Sequence, residues 1–224
     1  GGEMILWSSG RPGPGLDPGL FLLPGERSQG ERYRHPGRHR QWLLGRALAK
    51  QLLVELLNSH NGRTWSPRDI VVERSEQGAP LARTASGRPL GVSLSISHHQ
   101  ELALCALCPE DAGHLGVDLE RIEPRSPAFL EDYYTPAERR LIAAQEGLSA
   151  EQATTVLWCL KEAGLKALGT GLKVNPTRIE THELEPGPPG EWNPARVSLP
   201  GMERVLAWWR VRDDLAMAMV LGAP

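Results

Sequence analysis

Trp158-Cys159-Leu160-Lys161-Glu162-Ala163-Gly164-Leu165-Lys166-Ala167-Leu168-Gly169 reads as the end of a helix. Trp158, Lys161, Glu162, Leu165 and Lys166 recur at i, i+3, i+4, i+7 and i+8, so this reading places them on one helical face. A face with one carboxylate, two ammonium groups and an indole suits neither a core nor open solvent. An amphipathic helix with incidental charges is the simpler alternative. Gly169 and Gly171 stop the helix, as glycine does just past a C-terminus. Upstream, Ser149-Ala150-Glu151-Gln152 is a capping-box pattern that opens this helix. Thr135-Pro136-Ala137-Glu138 opens another, which runs to about Gln145.

A second segment, Leu115 to Ile122, reads as a strand. Its alternating side chains put Asp118 and Glu120 on one side and Val117 and Leu119 on the other. Neighbouring carboxylates repel unless a cation lies between them. A divalent metal is one answer, and carboxylate oxygen suits Mg²⁺. A solvated strand edge is the other.

Before these segments, Met4 to Trp7 suggests a short strand and residues 8–30 a long Gly/Pro/Ser loop. From Glu31 the chain turns basic, with Arg32, Arg34, Arg38, Arg40, Arg46, His35 and His39. Such a run is either a solvated helix face or a phosphate site, since guanidinium presents a planar donor fork to phosphate oxygens. Leucines at helical spacing predict an amphipathic helix over about 37–58, ended by Asn61-Gly62. The basic residues fall at its N-terminal end, where the helix dipole also attracts anions. Ile70–Arg74 reads as a strand and 78–90 as a loop. Strict alternation from Val92 to Ser97 predicts a half-buried strand, and Leu102–Cys108 an apolar one, together a hairpin-like pair. Cys105 and Cys108 have CxxC spacing but sit in an apolar run. With no second ligand pair for zinc and no helix N-terminus for redox chemistry, they read as buried thiols. Residues 186–194 read as an exposed loop, and 196–199, 205–211 and 215–221 as closing strands.

The 224 residues, 40% hydrophobic and 23% charged, fit one large or two small globular domains. A net charge of −2 advertises neither nucleic acid nor membrane as a partner. No apolar run reaches the roughly 20 residues that span a bilayer, and no leader pattern precedes the fold. Three cysteines, an odd count, fit a reducing cytoplasm rather than a disulfide framework. The expected fold class is α+β, with two similar halves packed as a pseudo-twofold pair, residues 1–111 and 112–224.

Taken together, Gly87-Arg88-Pro89, Ser95-Ile96-Ser97-His98, Gly116-Val117-Asp118-Leu119-Glu120 and Trp158-Cys159-Leu160-Lys161-Glu162-Ala163 with Lys166 and Gly169 resemble the 4′-phosphopantetheinyl transferases, specifically the larger Sfp-type enzymes. The resemblance covers about 87–172, with support back to about Arg32. It implies transfer of the phosphopantetheine arm of coenzyme A to a serine of an apo acyl or peptidyl carrier protein, with Mg²⁺ required and 3′,5′-adenosine bisphosphate released. Carried onto this chain, Asp118, Glu120 and Glu162 would hold the metal. Lys161 and Lys166 would sit by the pyrophosphate, and Arg88, Ser97 and His98 by the coenzyme A phosphates, with Arg40 and Arg46 adding charge. Glu162 is the candidate base and Glu120 its alternative. Arg88 stands where the family commonly has lysine, and His99 where relatives commonly have serine. Members of this length commonly act as monomers. Two other readings compete: a different Mg²⁺-dependent pyrophosphate-cleaving enzyme, and a non-catalytic module binding coenzyme A or a carrier protein. A carrier is expected to dock on the 31–46 basic patch or around Phe129 to Tyr134.

Overall fold

The run from Leu102 to Cys108 has no polar position and becomes the middle strand of a sheet buried on both faces. In the computed structural model, which describes residues 5–11, 17–60, 62, 64–169, 174–202 and 205–224, the expectations for Met4, Asn61 and Gly171 fall outside the described residues. The chain folds as two compact units, Gly1–Ala112 and Gly113–Pro224.

The first unit contains β1 (Leu6–Gly10), α1 (Pro18–Phe21), α2 (Pro24–Gly30), α3 (Pro36–His60), β2 (Ile70–Arg74), β3 (Pro80–Thr84), β4 (Val92–His99) and β5 (Leu102–Pro109). The strand order β1-β5-β4 is antiparallel throughout, and β2 and β3 form a separate hairpin. Helix α3 lays Leu44, Leu48, Ala49, Leu52 and Leu53 against Leu94, Ala103, Cys105 and Leu107. The alternation in β4 predicts one wet face, yet Ser95 and Ser97 are buried beside Leu94. The stretch expected as a loop over 8–30 holds the end of β1 and two short helices. Each of these helices starts with proline at its first position, where the missing N–H costs nothing. Strand β3 lies inside the expected 78–90 loop.

The second unit contains β6 (Leu115–Arg121), α4 (Pro127–Tyr133), α5 (Pro136–Ala144), α6 (Ala150–Ala167), β7 (Glu180–Leu184), β8 (Asn193–Ser198), β9 (Val205–Arg212) and β10 (Leu215–Gly222). Its strands form one antiparallel sheet in the order β6-β10-β9-β8-β7. Both capping boxes form as the sequence predicts: Thr135 with Glu138, and Ser149 with Gln152. The small side chains Ala163 and Ala167 of α6 and Ala216 and Ala218 of β10 share the core with Val156, Leu160 and Val220. All three cysteines are buried and outside any disulfide. The architecture is α+β in each unit. Among the described residues, no helix is long and apolar enough to cross a membrane.

Candidate active site

Gly116 brings the two decisive segments of the second unit together. A Cβ at this position would run into the Ala163 carbonyl and lie 2.7 Å from the Ala167 backbone nitrogen. Strand β6 therefore crosses α6 backbone to backbone. That contact requires glycine on the strand and small residues on the helix. Two residues along β6, Asp118 then meets Lys166 of α6: Lys166 Nζ donates to Asp118 Oδ1 at 3.0 Å and to the Val117 carbonyl at 2.8 Å. Asp118 is buried, while the Lys166 side chain keeps 34% of its exposure, so this ammonium can meet a ligand from solvent.

Glu162 lies one helical turn before Lys166 and is half-buried. Its carboxyl is held above the ordinary carboxylate range. Burial is the largest cause and the Asp118 charge the next; Lys166 opposes the shift and Glu120 adds to it. Asp118, Glu120 and Lys166 thus all act electrostatically on Glu162. The donor chemistry fits a hard dication, since three carboxylates supply oxygen only. Yet no group of three His, Cys, Asp or Glu side chains among the described residues is gathered closely enough to hold a metal ion. In this structure Asp118 is paired with the Lys166 ammonium.

Lys161 does not join this group, which corrects the expectation that it faces the pyrophosphate with Lys166. Positions 161 and 166 are five residues apart, so they point about 140° away from each other around the helix. The Lys161 side chain is fully buried. It donates to Glu138 at 2.7 Å and to the carbonyls of Ile179 at 2.6 Å and Pro176 at 3.2 Å. Burial lowers its pKa, and Glu138 opposes that shift. The sequence marks Glu138 only as a capping residue. Its second oxygen also accepts the Thr181 N–H of β7 at 2.9 Å.

Trp158, one turn before Glu162, meets Phe129 and Tyr133 of α4 edge-on, with ring centroids 5.0 and 5.3 Å apart. Phe129 and Tyr133 are half-buried. Tyr134 is not part of this surface: it is 2% exposed and its hydroxyl donates to the Thr154 carbonyl. The Cys159 thiol points the other way, toward the Ala216 carbonyl, and burial pushes its pKa well up.

In the first unit, Tyr33, Arg38, Trp42, Arg46, Arg74 and His98 line a cleft of about 320 Å³ that has no carboxylate among its lining residues. Arg38, Trp42 and Arg46 stand at i, i+4 and i+8 on α3 and so share a face. Arg40 is turned about 200° from Arg38. It lines a different, smaller pocket with Gln100 and Glu101, so it is not brought to the cleft. Arg46 is buried, lies 5.2 Å over the Trp42 ring and donates through Nε to the Val72 carbonyl at 3.1 Å. His98 is exposed at the end of β4, and its ring lies over Gly45. A Cβ on Gly45 would come within 2.5 Å of His98 Nε2. Ser97 is buried, and Arg88 sits in the exposed turn after β3; neither lines this cleft. Arg74 is the lining cation that the sequence reading did not single out. It ends a strand 28 residues beyond Arg46, with no local pattern linking the two.

A profile of the 4′-phosphopantetheinyl transferase superfamily matches residues 114–199, all within the second unit. A holo-[acyl-carrier-protein] synthase of Geobacillus kaustophilus is 34% identical over 113 residues, covering 50% of this chain and 77% of that protein. An L-aminoadipate-semialdehyde dehydrogenase-phosphopantetheinyl transferase of Schizosaccharomyces pombe is 28% identical over 170 residues, covering 70% of this chain and 63% of that protein. The chain thus spans less than two thirds of this relative's length. A holo-(acyl-carrier-protein) synthase from Bacillus anthracis, solved in complex with CoA (3′,5′-ADP), aligns over 50% of this chain and 97% of its own with a TM-score of 0.40 and 23% identity.

Proposed function

The chain belongs to the 4′-phosphopantetheinyl transferase superfamily, and from that premise we propose that it transfers the phosphopantetheine arm of coenzyme A to a serine of an apo acyl or peptidyl carrier protein as an Sfp-type enzyme. The observation that carries this reading is the crossing of β6 and α6 at Gly116, which sets Asp118, Glu162 and Lys166 against one another.

In the proposed reaction the carrier serine hydroxyl attacks the phosphorus that bears the pantetheine arm. The anhydride bond breaks, and 3′,5′-adenosine bisphosphate departs with the electron pair. Glu162 is the group proposed to take the serine proton. Glu120 is the alternative base. Lys166, held by Asp118 and the Val117 carbonyl, meets the charge that grows on the leaving phosphate, an interaction stronger in the transition state than in the ground state. Asp118, Glu120 and Glu162 would hold Mg²⁺, which supplies charge neutralisation at the pyrophosphate. In the first unit, Arg46 and His98, with Arg38 and Arg74, are assigned to the phosphates of coenzyme A. Ser97, Arg88 and Arg40 keep that assignment only as outer contributors.

For the carrier, the half-buried rings of Phe129 and Tyr133 beside Trp158 are the proposed docking surface. Phe129→Ala should raise the apparent KM for carrier and leave that for coenzyme A alone; equal effects on both would sink this assignment. The enzyme is assigned to the cytoplasm as a monomer, and the three buried cysteines, none in a disulfide, support a reducing setting.

The deciding experiment is intact-protein mass spectrometry of an apo acyl carrier protein mixed with this chain, coenzyme A and Mg²⁺, with and without EDTA. The expected result is one added phosphopantetheinyl arm that EDTA abolishes. Release of phosphopantetheine from coenzyme A without any carrier would instead identify a hydrolase. Binding of coenzyme A with no transfer to several carriers would identify a binding module.

A further inference from the structure

Four residues of the first unit form a chain of contacts that ends in the cleft. Glu26 stands at the third position of α2 and is 2% exposed. One carboxylate oxygen accepts the Leu23 N–H at 2.9 Å and the fully buried Lys50 ammonium at 2.5 Å. The other accepts the Val72 N–H at 3.0 Å. Lys50 also donates to the Phe21 carbonyl at 2.7 Å, which anchors it to the segment before α2. The carbonyl of the same Val72 receives Arg46 Nε–H at 3.1 Å. A single residue of β2 therefore has a carboxylate on its N–H and a guanidinium on its C=O. Because guanidinium is planar, fixing Nε and resting the group over Trp42 sets the direction of its two terminal nitrogens.

A buried lysine–glutamate pair is a weak source of stability, since apolar side chains of the same volume hold a core as well or better. Its cost is better explained by what it orients. We propose that the Glu26–Lys50 pair is a positioning element of the cleft: by holding Val72 it fixes the donor fork of Arg46, and so sets the affinity of the cleft for a phosphate-bearing ligand. The proposed function supplies only the identity of that ligand, coenzyme A; the coupling of Glu26 to Arg46 stands independently of it.

The test uses the full chain and two double variants. E26M/K50M replaces the ion pair by apolar groups of similar size and removes the acceptor of the Val72 N–H. E26Q/K50M removes the charges but keeps an amide oxygen for that N–H. The readouts are hydrogen exchange of the Arg46 Nε–H by NMR, the affinity for coenzyme A by calorimetry, and the melting temperature. In E26M/K50M the Nε–H should exchange faster and the Kd for coenzyme A should rise roughly tenfold, the size of one charged hydrogen bond, with a lower melting temperature because the Val72 and Leu23 N–H groups lose their acceptor. E26Q/K50M should move both readouts back toward the parent values. If E26M/K50M does not fold, Lys50→Arg serves instead, because the longer cation must displace Glu26 and disturb Arg46. Unchanged protection of the Arg46 Nε–H in a folded variant overturns the proposal. Faster exchange in a chain that binds no coenzyme A keeps the coupling and overturns the coenzyme A reading.

Discussion

Lys50 in the first unit and Lys161 in the second make the same set of contacts, although no sequence repeat connects them. Each lies on the long helix of its unit with no exposed side-chain surface, and each is paired with a glutamate at the third position of a shorter helix. In both units that glutamate also closes the start of its own helix and accepts the N–H of a strand residue, Val72 in one and Thr181 in the other. The lysine then donates to backbone carbonyls, of Phe21 in one unit and of Ile179 and Pro176 in the other. The units differ in what the clamp supports. In the first, Val72 leads to Arg46 and a basic cleft. In the second, the next residue of α6 is Glu162, whose carboxyl feels the Asp118 charge. On the proposed reading the same buried clamp steadies a binding group, Arg46, in one unit and a reacting group, Glu162, in the other, and the difference lies in the neighbours of the lysine.

That division of labour can be broken most directly at Glu162. Glu162→Gln should lower kcat for carrier modification on the order of 10³-fold, the usual size of a lost general base, with coenzyme A still bound in calorimetry. A comparable loss of binding would mean that Glu162 contributes to holding coenzyme A rather than to the proton transfer. The two clamps give the next largest effect. Lys161→Met and Lys50→Met should each cost about 3–5 kcal/mol in urea unfolding, because each leaves a buried carboxylate without its cation. Their residual activities should part: a lower kcat for Lys161→Met, a higher KM for coenzyme A for Lys50→Met. Identical kinetic defects would dissolve the contrast between the units. Gly116→Ala should cost about 3 kcal/mol, the upper end for an overpacked contact, with kcat falling as Asp118 and Lys166 separate.

The smallest effect is a dependence of stability on pH. The folded-state carboxyl of Glu162 titrates above its unfolded value, so its ionisation weakens the fold. The stability of the protonated form is fully present below the unfolded value, near pH 4, and is lost as pH rises through the folded value. Glu162→Gln should therefore melt at a higher temperature than the parent at neutral pH, and the gap should close as pH falls toward 4. A gap that does not change with pH would mean that Glu162 is not held above its ordinary range.

Elements whose start and stop are local were legible in the sequence: α3, α5, α6, β4, β5, β6 and β10 lie where caps, glycines and apolar spacing put them. Strands β3 and β7 were not, because five residues with no sustained alternation do not declare themselves without a partner strand. The carboxylates Asp118, Glu120 and Glu162 were legible as a charge problem in need of a cation. Lys161 misled because five residues separate it from Lys166, and a helical face wide enough to hold both would cover much of the circumference. The roles of Glu26, Glu138 and Arg74 depend on contacts across 20 or more residues, which no local pattern carries.

The clamps also leave a chemical signature. Only four of the 25 Lys and Arg residues of this chain are lysines, namely Lys50, Lys161, Lys166 and Lys173. Two of these four are sealed in the clamps, where a compact ammonium fits between carboxylate and carbonyls and a guanidinium fork does not. Amine-acylating reagents applied to the folded protein should therefore pass over Lys50 and Lys161 and mark Lys166. Its rate of acylation becomes a built-in gauge of whether the proposed phosphate site beside Asp118 is covered.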